Sequence, residues 1–387
     1  MIPIRISIAI IALVVIIGVF HAVSYFFPLR VVPDSSDVVS AVQSAIHSEP
    51  VKPVRPERVK TPDSVKAIYM TSWVAGNPAL RNKLIQLIDD TEINTVVIDI
   101  KDYTGKISFE PNNEKLKAFN SWENRISDID ALIDELHSKN VYVIGRVSIF
   151  QDSYMVTHHP EWAVRRKNDN QIWKDFKGVS WIDAAAEPYW HYISMIAREA
   201  HDRGFGEINF DYIRFPSDGD MTNIVYPHAG KRVRSEVLTS YFKFVREDLG
   251  DLGVPLSADL FGMTTSNTDD LGIGQLLEPA LTYFDYVYPM VYPSHYPPNF
   301  NGHKKPAEKP YEIIHYAMSK AVERAIAAST SPQKLRPWIQ DFSIGGTTYT
   351  PEMIRAQIQA TYDVGLTGWL VWNASNRYTT SAYLPEE

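Results

Sequence analysis

Apolar runs of strand length alternate with helical hydrophobic patterns from Lys66 onward. Several helical patterns end in a turn signal, such as Arg203-Gly204 or Val364-Gly365, just before the next apolar run. The predicted strands cover residues 67–73, 95–100, 141–148, 207–215, 255–261, 286–292, 335–341 and 368–372. The predicted helices cover residues 79–91, 126–139, 188–203, 232–249, 273–282, 311–328 and 351–363. This alternation predicts an α/β fold in which parallel strands form a (β/α)8 TIM barrel with the helices outside.

An open doubly wound sheet is the alternative architecture for the same alternation. It is disfavoured because no glycine-rich phosphate-binding turn follows the first predicted strand. The barrel is therefore the preferred fold for residues 65–387.

The N-terminal region falls into two segments of different composition. Residues 7–27 contain no Lys, Arg, Asp or Glu, and about 20 apolar residues suffice to cross a bilayer as a helix. Arg5 precedes this run, so the positive-inside tendency places the N-terminus in the cytoplasm. We therefore predict a single-pass anchor in the cell membrane at 1–30, a proline-rich linker at 31–64 and an extracytoplasmic barrel. A cleaved signal peptide, giving a secreted protein, is the alternative, although Ala22 and Ser24 form a poor cleavage site.

The composition of the chain excludes or disfavours several classes of function. The chain has 38 Lys and Arg against 46 Asp and Glu, and its net charge of −8 argues against a nucleic-acid partner. It has no cysteine, which excludes disulfides, thiolate nucleophiles and thiolate metal ligands. No predicted strand carries a His-x-His pair, and His158-His159 fall in a loop, so no metal or other cofactor is predicted. A serine nucleophile is disfavoured because there is no Gly-x-Ser-x-Gly turn.

Charged and aromatic residues collect at the predicted carboxyl ends of the strands, the end of a TIM barrel that carries catalysis. Residues 206–216 place Asp211, Tyr212 and Arg214 before Pro216, which has no N–H and is predicted to end the strand pairing. Any single aspartate here has a structural alternative as a helix N-cap or an ion-pair partner. The other strands contribute Trp73, Asp99, Asp102, Arg146, Asp259, Tyr292, Trp338, Asp341 and Trp372.

Two connections are long, residues 151–187 and residues 293–310. Loops longer than about 12–15 residues in a compact domain tend to be functional or disordered. The tryptophans of the first connection, Trp162 and Trp181, favour a functional loop.

Five segments together resemble a known family. They are residues 67–73, His159-Pro160-Glu161-Trp162, Trp181-Ile182-Asp183, residues 210–216 and residues 369–373. Over residues 65–378 the chain resembles a prokaryotic group of glycoside hydrolase-like (β/α)8 barrels that is classed as a domain of unknown function. It is more distantly similar to barrels with a nucleophilic Asp at the end of strand four. The resemblance implies a barrel that acts on a carbohydrate and leaves the sugar and the linkage open.

Glycoside hydrolysis commonly uses two carboxyl groups that flank the scissile bond. On this basis we predict that Asp211 is the nucleophile or stabilising carboxylate, kept ionised by Arg214. Asp259 is predicted to be the acid/base because strand five adjoins strand four. The reserve acids are Asp341 and then Asp99 or Asp102.

The sugar is expected to be bound by hydrogen bonding and stacking at the same barrel end. The predicted binding residues are Trp73, Arg146, Tyr212, Arg214, Tyr292, Trp338 and Trp372. A non-catalytic, surface-tethered glycan-binding barrel is the main alternative, because it needs the aromatic cleft without an acid pair. A metal-dependent hydrolase with Asp and His ligands at strand ends is the third hypothesis.

Overall fold

The computed structural model describes residues 57–385. The predicted anchor at 1–30 and most of the predicted linker at 31–64 lie outside these residues. Within residues 57–385, no helix combines the length and the apolar character needed to cross a membrane.

Eight parallel strands close into a barrel, as predicted. They are β1 (Lys66–Met70), β2 (Thr95–Lys101), β3 (Tyr142–Ser148), β4 (Glu207–Asp211), β5 (Leu256–Phe261), β6 (Tyr286–Met290), β7 (Trp338–Gln340) and β8 (Trp369–Trp372). Each strand pairs with the next one along the chain, and β8 returns to pair with β1. The alternative of an open sheet is therefore wrong.

Longer helices follow β1 to β7 within the described residues and cover the outside of the barrel. They are α1 (Pro78–Asp89), α2 (Ile129–Ser138), α3 (Glu187–Arg203), α4 (Arg234–Leu249), α5 (Leu277–Tyr283), α6 (Pro310–Ala327) and α7 (Pro351–Asp363). Their ends follow ordinary capping chemistry. The Asn77 side chain accepts hydrogen bonds from the amides of Ala79 and Leu80 at the start of α1. Gly204 ends α3 with a φ of 106°, a conformation that favours glycine.

The first strand ends earlier than predicted. β1 stops at Met70, because the Thr71 side chain accepts the Val74 amide and caps a short helix, Ser72–Ala75. Trp73 is therefore a helical residue, and its predicted position at the end of a strand is wrong.

The fourth strand also ends early. β4 stops at Asp211, because Tyr212 has a φ of 53° in the left-handed region, which strand pairing does not allow. The prediction that Pro216 ends the pairing is therefore wrong. The turn at Tyr212 leaves Asp211 as the last residue of its strand.

The long connection between β3 and α3 is packed against the connection that follows β4. Its segment Arg165–Arg166 pairs antiparallel with Ile224–Val225. Trp173 donates from Nε1 to the Asp220 carbonyl at 3.0 Å, which adds a second link between the two connections. A strand pair and a side-chain hydrogen bond therefore join the two connections.

The residues after β8 are fastened to the start of the barrel. The Tyr378 hydroxyl accepts the Tyr69 amide at 2.9 Å and donates to the Tyr69 carbonyl at 2.5 Å. Asp341, directly after β7, accepts the Thr379 amide at 2.8 Å and the Tyr383 hydroxyl at 2.9 Å. Side chains thus reinforce the seam between the first and last strands.

A buried polar network lies at the amino ends of the strands. Glu207, the first residue of β4, accepts hydrogen bonds from the hydroxyls of Tyr142 and Tyr288 and pairs with Arg336 at 3.3 Å. Residues at this end of a TIM barrel mainly stabilise the fold, whereas active sites lie at the carboxyl ends of the strands.

Candidate active site

A cavity of about 560 Å³ lies at the carboxyl ends of the strands, the end that carries catalysis in TIM barrels. The predicted site residues that line it are Arg146, Asp211, Tyr212, Arg214, Asp259, Tyr292, Trp338 and Trp372. The other lining residues are Lys177, Phe261, Gly262, Met263, Met290, His295 and Tyr296. The wall is therefore rich in aromatic rings, and it combines three Arg or Lys side chains with two aspartates.

Arg146 of β3 connects three carboxyl groups at the base of the cavity. Its Nε donates to Asp211 Oδ2 at 3.0 Å, and its Nη1 donates to Asp99 Oδ1 at 2.6 Å. The same Nε lies 3.9 Å from Asp259 Oδ2. Arg146, and not Arg214, is therefore the guanidinium that pairs with Asp211, which corrects the prediction. Arg214 is separated from Asp211 because the turn at Tyr212 directs the following residues away from the strand.

Asp211 has both carboxylate oxygens fixed by donors. Oδ2 accepts from Nε and Nη2 of Arg146, and Oδ1 accepts the backbone amide of Tyr212 at 2.6 Å. A positive φ is uncommon for a bulky residue such as Tyr212, and strained backbone of this kind clusters at functional sites. The donors hold Asp211 in one orientation at the end of its strand.

Asp259 of β5 has a different environment, although it lies in the same cavity. The side chain is almost fully buried, and its Oδ1 accepts from Asn209 Nδ2 at 3.0 Å and from Trp338 Nε1 at 2.9 Å. Burial raises the pKa of Asp259 well above its ordinary value, and the negative charge of Asp211 raises it further. Arg146 opposes these effects without cancelling them. A carboxyl group in such a place keeps its proton to higher pH, as a general acid requires.

Aromatic rings form one side of the cavity. Trp372 stacks on Tyr69 with ring centroids 4.1 Å apart and meets Trp338 edge to face at 5.5 Å. The Arg146 guanidinium lies 5.2 Å from the centroid of Trp372. Trp338 is 1% exposed, so its geometry suits it to holding Asp259 rather than to stacking on a sugar.

A family model described as "Putative glycosyl hydrolase domain" matches residues 67–378, a range that contains every residue of the cavity wall. The chain belongs to this family. The resemblance seen in the sequence is thereby confirmed, and the protein is a member of a glycosidase family. A search of curated protein sequences gives no match.

Three solved structures illustrate what the chain is similar to. A hypothetical protein from Ruminiclostridium thermocellum ATCC 27405 is 32% identical, with 53% of this chain and 98% of that chain covered and a TM-score of 0.46. The PgaB (BpsB) glycoside hydrolase domain from Bordetella bronchiseptica is 12% identical, with 80% and 94% covered and a TM-score of 0.56. The alpha-galactosidase TtGalA from Thermus thermophilus, in complex with stachyose, is 11% identical, with 84% and 64% covered and a TM-score of 0.50. The likeness to the last two is one of fold.

Two of the predicted reserve acids, Asp102 and Asp341, do not line the cavity. Asp102 forms an ion pair with Arg125 at 2.6 Å. Asp341 is occupied by the segment after β8, to which it is hydrogen-bonded. Both aspartates therefore have the kind of partner that the structural alternative for a strand-end aspartate describes.

Asp99 and Trp73 also lie outside the cavity lining. Asp99 is buried between Arg146 and the Tyr69 hydroxyl, and burial raises its pKa. Trp73 is 61% exposed and stacks under the Arg125 guanidinium at 4.4 Å. Asp99 thus contacts the lining residue Arg146, and Trp73 faces solvent.

Several lining residues escaped prediction. Lys177 comes from the connection after β3, whereas His295 and Tyr296 come from the connection after β6. The lengths of these two connections were the signal in the sequence, but length does not show which side chain enters the cavity. Burial lowers the pKa of His295, so this ring is neutral at neutral pH. Within residues 57–385 no group of three or more His, Cys, Asp and Glu side chains is placed to hold a metal ion.

Proposed function

We propose that the protein is a glycosidase that hydrolyses a poly- or oligosaccharide with Asp211 and Asp259. The observation that carries this proposal is the contrast between the two carboxyl groups. Asp211 accepts hydrogen bonds from the charged Arg146, whereas Asp259 is more deeply buried, accepts only from neutral donors and has a raised pKa. Such a difference supports Asp211 as the nucleophile and Asp259 as the acid.

In the first step, Asp259 donates its proton to the glycosidic oxygen while the bond between this oxygen and the anomeric carbon breaks. The Asp211 carboxylate bonds to the anomeric carbon, which gives a glycosyl-enzyme intermediate. In the second step, ionised Asp259 takes a proton from water as the water oxygen displaces Asp211. Oδ1 of Asp259 is engaged by Asn209 and Trp338, which leaves Oδ2 to carry the transferred proton.

The spacing of the two carboxyl groups supports a retaining mechanism. Oδ2 of Asp211 and Oδ2 of Asp259 lie 3.0 and 3.9 Å from the same nitrogen, Nε of Arg146. The two oxygens are therefore closer to each other than the sum of these distances. That upper limit includes the separation of about 5–5.5 Å found in retaining glycosidases and reaches only the lower end of the range of about 6.5–9.5 Å found in inverting ones, so it supports attack by Asp211.

We further propose that the barrel acts on the extracytoplasmic side of the cell membrane. The support is the uncharged apolar run at 7–27, which follows Arg5 and precedes the proline-rich residues 31–64. Cells are stripped of the layers outside the cytoplasmic membrane, which is kept intact, and protease is added. The protease should digest the barrel. Full protection of the barrel until the cells are lysed would contradict this location.

The test of activity is a glycan screen with the full-length chain and its Asp211→Asn and Asp259→Asn variants. Polysaccharides and bacterial wall glycans are offered, and both binding and released reducing ends are measured. We expect both variants to lose turnover and keep binding. Asp89→Asn is the matched control, because Asp89 forms only a surface ion pair with Lys139. Full activity of Asp211→Asn would refute the assignment, and binding without turnover by every form would support the non-catalytic glycan-binding alternative.

A further inference from the structure

The cavity contains a second guanidinium, that of Arg214, which is buried without a carboxylate partner. Arg214 is 8% exposed, and its guanidinium carbon lies 4.8 Å from the ring centroids of both Trp181 and Phe261. Only Nη1 is used by the protein, in hydrogen bonds to the Phe215 carbonyl at 3.1 Å and to Ser217 Oγ at 3.0 Å. The rings fix the guanidinium in place and leave Nε and Nη2 without an acceptor among residues 57–385.

The contrast with Arg146 shows that this arrangement is unusual. Arg146 has Asp99 and Asp211 as direct partners, whereas no carboxylate oxygen of the described chain lies within 4.0 Å of the Arg214 guanidinium. Burial lowers the pKa of Arg214, and the charges of Asp211, Asp218 and Asp175, which lie beyond ion-pair distance, oppose this effect. An arginine side chain remains charged at neutral pH. A buried charge without a partner is costly, so a protein that keeps one generally uses it to bind an opposite charge.

A second cation, Lys177, lies at the rim of the same cavity. It is exposed, and its backbone amide donates to Asp175 Oδ1 at 2.9 Å, which anchors the tip of the loop. Asp175 is itself fixed by Trp181 Nε1 at 3.1 Å, and Trp181 is one of the rings under Arg214. Trp181 thus connects the buried Arg214 with the loop tip that carries the exposed Lys177, and both cations line the cavity.

The charges of the cavity differ in sign from those of the whole chain. The chain has a net charge of −8, but the lining has three Arg or Lys side chains against two aspartates, one of which has a raised pKa. Arg146 is paired with Asp99 and Asp211, and Asp175 lies behind Trp181 outside the lining, so Arg214 and Lys177 are the cations of the lining without a carboxylate of the described chain in direct contact. A neutral sugar would not use their charge.

We propose that the substrate is an acidic glycan and that Arg214 and Lys177 bind the carboxylate of one of its sugars, such as a uronic acid. This inference rests on the proposed glycosidase function and specifies its substrate class. The planar guanidinium, with two free nitrogens, matches the geometry of a carboxylate, and Lys177 adds a flexible charge from the rim.

The experiment measures binding and hydrolysis by the full-length chain of polygalacturonate, alginate and hyaluronan, each beside its carboxyl-reduced, neutral counterpart. We expect at least one acidic polymer to bind about tenfold or more tightly than its reduced form, as expected for charge-assisted hydrogen bonds, and this preference to weaken with added salt. Arg214→Gln should abolish the preference, and Lys177→Gln should reduce it. Lys174→Gln, a change in an exposed lysine of the same loop outside the lining, should leave it unchanged.

The outcomes separate this inference from the proposed function. Hydrolysis of a neutral glycan that needs Asp211 and does not respond to Arg214→Gln or Lys177→Gln would overturn the inference and leave the glycosidase function standing. Binding of an acidic polymer that needs both cations, without released reducing ends, would support the carboxylate-binding role of Arg214 and Lys177 and favour the non-catalytic glycan-binding alternative over the glycosidase. Equal binding of acidic and reduced polymers, or no binding of any acidic polymer, would also overturn it. Lys177 is exposed, so Lys177→Gln keeps the test valid if Arg214→Gln does not fold.

Discussion

The indole nitrogen of Trp338 lies 2.9 Å from Oδ1 of Asp259. The hydrogen bond joins β7 to β5 across the barrel interior and fixes the candidate acid with a neutral donor. A charged donor in this position would favour the ionised form of Asp259 more strongly. The choice of tryptophan therefore orients the carboxyl group while allowing it to keep its proton, which leads to predictions about pH.

The rate of hydrolysis should fall as the pH rises through the pKa of Asp259. Only protonated Asp259 protonates the leaving group, and burial together with the charge of Asp211 raises this pKa. The decline in kcat is therefore expected above the ordinary carboxyl range near pH 4. A kcat profile with pH measures it. A wild-type profile that stays flat into the alkaline range would contradict the assignment.

Trp338→Phe should move the same decline to higher pH. The Trp338 hydrogen bond lowers the pKa of Asp259, so its removal raises that pKa further. Because the remaining ring still fills part of the space, the chief effects expected are this shift and a lower kcat. Trp369→Phe is the matched control, since Trp369 donates to the Tyr362 hydroxyl at 3.0 Å, away from the cavity. A shift of the decline to lower pH in Trp338→Phe would show that the hydrogen bond from Trp338 raises the pKa of Asp259, which contradicts the prediction.

Arg146→Gln should destabilise the fold as well as inactivate the enzyme. The change leaves the buried carboxylates of Asp99 and Asp211 without their counter-charge, and breaking a buried ion pair costs about 3–5 kcal/mol. Urea denaturation measures the free energy of unfolding. Lys139→Gln, which breaks a surface pair with Asp89, should cost about 1 kcal/mol or less. A loss of similar size in both variants would mean that Arg146 does not carry the charge balance of the site.

Hydrolysis should proceed with retention of anomeric configuration. Oδ2 of Asp211 and Oδ2 of Asp259 lie 3.0 and 3.9 Å from Nε of Arg146, which limits their separation to the retaining range and the lower end of the inverting range. Proton NMR of the first products, recorded before mutarotation, distinguishes the two outcomes. An inverted product would show that a water molecule, and not Asp211, attacks the sugar.

The elements and the barrel end could be predicted from the sequence because both follow from local patterns and strand order. Asp211 and Asp259 lie on adjacent strands and meet in the cavity as expected. The partner of Asp211 could not be predicted, because Arg146 reaches it from β3 through side-chain geometry, whereas Arg214 is closer in sequence. Lys177 could not be predicted either, since its position depends on how a long loop folds.

The hydrogen bonds between Tyr69 and Tyr378 join residues that are 309 positions apart in the chain. Translation at about 5–20 residues per second separates their synthesis by roughly 15–60 s. Throughout that interval β1 has no partner on the edge that β8 later fills. An unpaired, apolar strand edge is a site for wrong pairing and aggregation. The nascent chain can therefore complete its barrel only after its last strand has been synthesised.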